Sequence, residues 1–264
     1  MKIINRDIQY FIDRMKNREY FAQAGFSDAE FYCMMNIRSG TCTGLGQVID
    51  PTYGIELIDV MQRRQEDENF IFAVPMCLQD LPAFEGGRID SFVGGIEAVE
   101  RDMITDDLAR NALMFPFIEQ LRKMDVVVIG NRHLAYLDFM EYRHVQIDSP
   151  NLHLQIEPNG IQNAVNEAAS VTYEGGTAFM VSAGVSAAVI IDKLYAIHPD
   201  NFYFDCGSNW DAFVGCGRQR SWRKYLYAHP QELELWKKAN TNGGIFEWRD
   251  TPKPETETDA NWHR

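Results

Sequence analysis

Two carboxylates stand one residue apart near the start of the chain, in Phe26-Ser27-Asp28-Ala29-Glu30-Phe31. Their hard oxygens suit Mg2+ or Mn2+, and a cation held there would also bind a diphosphate. Sharing one ion requires a departure from regular helix in this turn, because side chains at i and i+2 do not face each other on a helix. The same residues have a purely structural reading. Ser27-x-x-Glu30 spells a capping box, with Ser27 as N-cap and Glu30 reaching back to it. Asp28 would then only favour the helix dipole. Spacing alone leaves both readings open.

Four further groups of polar residues and glycines follow short apolar runs. They are Gly130-Asn131-Arg132-His133, then Asp148-Ser149, then Ser182-Ala183-Gly184, and last the stretch from Asp205 through Gly207, Ser208, Asn209 and Trp210 to Asp211. In the third, Ser182 and Gly184 stand where a strand meets a helix N-terminus. Free N–H groups there favour an anion, and glycine lets a phosphate or ribose approach. A tight packing turn wants the same small residues. In the fourth, Asp205 can bind ribose or act as a base, and Gly207, Ser208, Asn209 and Asp211 can contact a sugar or phosphate. The plainer reading is an Asx-type turn before a packed Trp210. Arg218, Arg220, Arg223 and Lys224 form a basic cluster that would neutralise a diphosphate leaving group or stand as a solvated face. His133, His144 and His153 lack metal-ligand spacing.

The elements that must position these groups are read from periodicity. Ile4, Ile8, Phe11, Ile12 and Met15 give one apolar helical face, and a second helix is predicted from Ser27 through Met35. Residues 39–53 read as a glycine-rich loop, 54–64 as a helix, 70–74 as the first strand and 78–95 as irregular. Residues 105–124 read as a helical pattern kinked or interrupted at Pro116. Asp125 to Gly130 is a continuous apolar run, the signature of a strand buried on both faces. Strands are predicted at 143–147, 177–182 and 201–206, helices at 158–171 and 184–197, and short helices at 222–227 and 230–239. Alternating strands and helices predict an α/β fold: a Rossmann-like, mostly parallel sheet flanked by helices, with an N-terminal helical portion. Residues 1–248 read as one catalytic domain and 249–264 as a polar, flexible tail.

Composition narrows the classes. Of 264 residues, 45% are hydrophobic and 24% charged, which is ordinary for a globular chain and unlike disorder. Lys plus Arg is 25 against 38 for Asp plus Glu, a net charge of −13, which disfavours non-specific duplex binding. Five cysteines without a CxxC pair read as reduced thiols in the cytoplasm. The charged N-terminus has no apolar signal region, and no run nears the length of a membrane span.

The combination of Ser27-Asp28-Ala29-Glu30-Phe31, the strand 126–130, the segment 179–194 and the string Phe202 to Asp211 resembles the GT-D-type glycosyltransferases, first catalogued as a bacterial domain of unknown function. The similarity runs in order from about Phe26 to Arg223. Family members carry an Asp-x-Glu motif on an N-terminal helix, usually with glycine at the centre and before the aspartate; Ala29 and Ser27 depart from that pattern. The resemblance implies sugar transfer from a nucleotide-sugar donor, a UDP-sugar first, to a hydroxyl of a glycan, a glycoprotein or a modified nucleobase. It implies that Asp28 and Glu30 hold the donor diphosphate through Mn2+ or Mg2+. It also implies that Ser182, Gly184 and residues Asp205 to Ser208 lie near the nucleotide or donor sugar. By position, Gly130, Asn131 and Arg218 are added to the binding residues, and Asp205 or Asp211 would deprotonate the acceptor. Two other classes compete: a methyltransferase-like domain using S-adenosylmethionine, with Gly130 and Asp148 at successive strand ends, and a non-catalytic nucleotide-binding module. The missing GxGxxG string disfavours classical dinucleotide binding.

Overall fold

The computed structural model describes residues 2–4, 6–35, 53–74, 96–100, 114–137, 139–147, 160–171, 175–207 and 209–212. In chain order the elements are β1 (Lys2–Ile4), α1 (Ile8–Asn17), β2 (Phe21–Gly25), α2 (Asp28–Met34), α3 (Tyr53–Arg64), β3 (Phe70–Val74), β4 (Glu97–Glu100), α4 (Met114–Leu121), β5 (Val126–Gly130), β6 (Arg143–Gln146), α5 (Ile161–Ala169), β7 (Ala178–Ser182), α6 (Ala187–Ile197) and β8 (Phe202–Asp205). Short 3-10 turns follow β5 (Arg132–Tyr136), β7 (Gly184–Ser186) and β8 (Asn209–Ala212).

Among the described residues, eight strands form one sheet in the order β1-β4-β3-β2-β8-β7-β5-β6, and every pairing is parallel. The predicted α/β class therefore holds, with a wider sheet than expected. Strand 70–74 is third in the chain, not first. The N-terminal portion is not wholly helical: Ile4 belongs to β1, and β2 lies near the middle of the sheet. Pro116 falls in the first turn of α4, where its missing N–H is tolerated; the part of that predicted helix at 105–113 lies outside the described residues. The loop at 39–52, the irregular stretch 78–95, the turn 148–150, the helices at 222–227 and 230–239 and the tail 249–264 lie outside the described residues.

Each face of the sheet carries its own core, as parallel sheets require. One face packs Ala22, Ala24, Phe72, Phe179, Val181 and Tyr203 against α2, α3, α5 and α6. The other packs Phe21, Val128, Met180, Phe202 and Phe204 against α1, α4 and the turns after β5 and β8. There Phe11 meets Phe204 edge-on at 5.2–5.4 Å spacings that also join Phe21 and Phe117 to the cluster. Successive side chains alternate between the two faces, so a one-residue slip of any central strand would exchange the cores. No helix of the described residues is long and apolar enough to cross a membrane.

Candidate functional site

The segments that leave β2 and β8 turn to opposite faces. After β2 the chain runs into Phe26 and α2 on one face; after β8 it runs into Cys206 and Trp210 on the other. The two strands are neighbours. Open parallel sheets take ligands in the crevice expected at such a divergence, between the carboxyl ends. A second divergence lies between β5 and β7, whose following segments carry Leu134 to one face and Val185 to the other.

Asp205, the last residue of β8, occupies the first crevice and is 4% exposed. Its Oδ2 accepts the Gly25 N–H at 3.1 Å, and its Oδ1 accepts the Gly207 N–H at 2.9 Å. Its own N–H donates to Oε1 of buried Gln23 at 3.0 Å. The carboxylate thus ties the end of β2 to the turn after β8, with both oxygens serving backbone donors. Gly207 has φ +50° and Gly184 φ +55°, left-handed values that a side chain at either turn would strain. Gln23 and Gly25 escaped the sequence reading because their segment was not seen as a strand.

Two residues beyond Gly25, Ser27 is the N-cap of α2, and the capping box is formed. Glu30 is 5% exposed, and its Oε2 accepts both the Ser27 N–H at 2.7 Å and the Ser27 Oγ–H at 2.5 Å. The structural reading of Ser27 and Glu30 is therefore correct, yet it does not exhaust the carboxylate. Both bonds fall on Oε2. Asp28 is the first helical residue, so regular helix begins at the motif. The two positions are turned by about 200° around the axis. The regular helix therefore does not turn the two positions toward each other, and the departure that a shared ion requires is not found in this turn. The described residues contain no cluster of three or more His, Cys, Asp and Glu able to hold a metal. Mg2+ is usually bound through one or two carboxylates completed by substrate phosphates, so a single hard carboxylate of this motif suits such an ion.

At the second divergence, Gly130 ends β5 in register with Ser182 at the end of β7. The Ser182 Oγ is buried without a hydrogen-bond partner, a polar atom held at a strand tip for no evident packing purpose. Asn131 caps the following turn: its Oδ1 accepts the His133 N–H at 2.9 Å, and its carbonyl lies 3.1 Å from His144 Nε2. Its side chain is thereby occupied. Burial holds the His144 imidazole below its ordinary pKa, against smaller upward pulls from the backbone of Asn131 and Gly130 and from Glu167. Cys206 is fully buried, and burial pushes its thiol pKa well up, so it is no nucleophile. Asn209 is buried in the turn whose backbone carries Asp211. The structure thus puts Gly130, Ser182 and Asp205 at the ends of β5, β7 and β8, with Asn131, Gly184 and Gly207 in the segments that follow; Glu30 lies on α2 and Asp211 on the turn after β8. The side chains of Asp28 and Asp211, and the residues Ser208, Arg218, Arg220, Arg223 and Lys224, lie outside the described residues.

No family model and no curated protein matches the sequence. In structure, the chain is similar to a solved structure of which it is said that the highly conserved domain of unknown function 1792 has a distinct glycosyltransferase fold. The identity is 12% and the TM-score 0.58, with 87% of this chain and 83% of that chain covered. A selenomethionine-substituted structure of the same domain matches with the same figures. Likeness at that identity is one of fold. It agrees with the resemblance read from the sequence motifs, and the fold is of the glycosyltransferase kind.

Proposed function

We propose that the chain is a glycosyltransferase that binds a nucleotide sugar, a UDP-sugar first, across the β2/β8 crevice and passes the sugar to an acceptor hydroxyl. The observation that carries this reading is the placement of an acidic helix start, Ser27 to Glu30, directly after the strand end that Asp205 holds. Asp28 and Glu30 would hold Mn2+ or Mg2+, which when bound neutralises the diphosphate leaving group. Glu30 would offer Oε1 while Ser27 keeps Oε2 in place. Asp205 would shape the crevice, since its oxygens already serve Gly25 and Gly207. Abstraction of the acceptor proton would then fall to Asp211, on the turn that leaves β8. Ser182 and Gly184 would meet the donor at the neighbouring strand tip, with Gly130, Asn131 and Ser208 beside them and Arg218 on the diphosphate. A glycan, a glycoprotein or a modified nucleobase would accept the sugar. Five cysteines without a CxxC pair and a soluble donor would suit the cytoplasm.

Glu30→Gln separates the two duties of the carboxylate. Glutamine keeps a capping box but carries no charge. Donor turnover, measured with a panel of nucleotide sugars and Mn2+, should fall about 100-fold or more while the melting temperature barely moves. Unchanged turnover in this variant would refute the assignment.

A further inference from the structure

Away from the strand tips, α6 packs against both α3 and α5 and is buried over most of its length. A groove of about 510 Å³ runs over it, with Val60, Val165, Val189 and Ala196 among its lining residues. Among the described residues three large apolar side chains stand exposed, Ile55, Tyr136 and Ile197. Two of the three belong to this groove. Ile197, 51% exposed, lines it, and Ile55, 62% exposed, directly precedes the lining residue Glu56. Apolar side chains held in water around a groove mark a surface that meets a partner.

The order of groups along the groove says what that partner is. α3 ends shortly before β3 begins and α6 shortly before β8 begins, so both helices run toward the amino edge of the sheet. Arg63 meets Asp192 at 2.9 Å, which sets their mutual level. At 1.5 Å per residue, Ile55 lies about 12 Å and Asp59 about 6 Å before that level, and Lys193 about 1.5 Å and Ile197 about 7.5 Å beyond it. One point, about 2 Å before the level, therefore halves both the span from Ile55 to Ile197 and the span from Asp59 to Lys193. A two-fold axis through it would bring apolar onto apolar and acid onto base at once. Such self-complementarity is what a contact between identical chains requires. The net charge of −13 repels copies at a distance, so the opposed charges of the groove select this register over others.

We infer that the groove over α6 is the interface of a two-fold homodimer, in which Ile55 meets the partner's Ile197 and Asp59 meets the partner's Lys193. Sedimentation of the full chain between about 1 and 100 µM tests it, and the wild type should pass from one copy to two across that range. Ile55→Glu and Ile197→Glu should each weaken dimerisation about 10-fold or more, with secondary structure unchanged by circular dichroism. Asp59→Lys should do the same, and combining it with Lys193→Asp should restore the dimer. Cross-linking reads the register directly. Ile55→Cys mixed with Ile197→Cys should join under mild oxidation far more readily than either variant alone or the wild type. A wild type that stays a single copy throughout the range overturns the inference and leaves the groove to a partner of another kind. So does a dimer that both isoleucine variants leave intact, or a mixture that cross-links no better than its components.

Discussion

At the scale of single residues, one carboxylate joins the two central strand ends. Asp205 accepts a backbone N–H from Gly25 with one oxygen and from Gly207 with the other. Asparagine has the same shape but only one acceptor, so its NH2 would face one of those donors. Asp205→Asn should therefore cost about 1–3 kcal/mol, read from denaturant unfolding, through one buried N–H left unmade. A neutral effect would mean that the turns hold without it. His144 gives a pH signature. Its folded pKa lies below the ordinary 6.5, so between those values the unfolded chain binds the proton and the folded one does not. Its contribution is intact above about pH 6.5 and is lost as pH falls toward the folded value. Melting temperatures between pH 7 and pH 5 should decline less steeply in His144→Gln than in the wild type.

At the scale of elements, α3 sits on α2 with no side chain between them at Gly54. Gly54→Ala would place a methyl group 2.1 Å from the Cys33 oxygen, so α3 must move off α2. A loss of about 1–3 kcal/mol or more in unfolding free energy is expected. The far end of α3 is held separately: Arg63 and Arg64 reach buried Asp192 on α6 at 2.9 and 2.7 Å. Damage at Gly54 should therefore concentrate at the α2 contact, near Cys33 and Met34. Which elements could be read from sequence follows from their chemistry. β5, β7 and β8 are apolar runs and were legible. β2 reads Phe-Ala-Gln-Ala-Gly, and its central Gln23 looks foreign to a buried strand until Asp205 is seen to donate to it across the sheet. β1 has three residues whose Ile4 merges into the apolar rhythm of α1, and β4 is flanked by glutamates. The candidate site was legible where a glycine or carboxylate followed a visible strand, as at Gly184 and Asp205.

At the scale of the molecule, the sheet divides by chain order. β1 to β4 fill one half and β5 to β8 the other, and among the described residues only the β2–β8 pairing joins them within the sheet. Such a join is made late, since its partners lie far apart in sequence and the loop-closure entropy must be met first. The acidic helix start stands on one side of the join and the turn with Gly207 on the other. A compound seated there would clasp both halves, and its binding free energy would add to the resistance of the entire fold. Heat tolerance would then report occupancy before any product had been identified, and the search for a natural ligand need not wait for an assay of its chemistry.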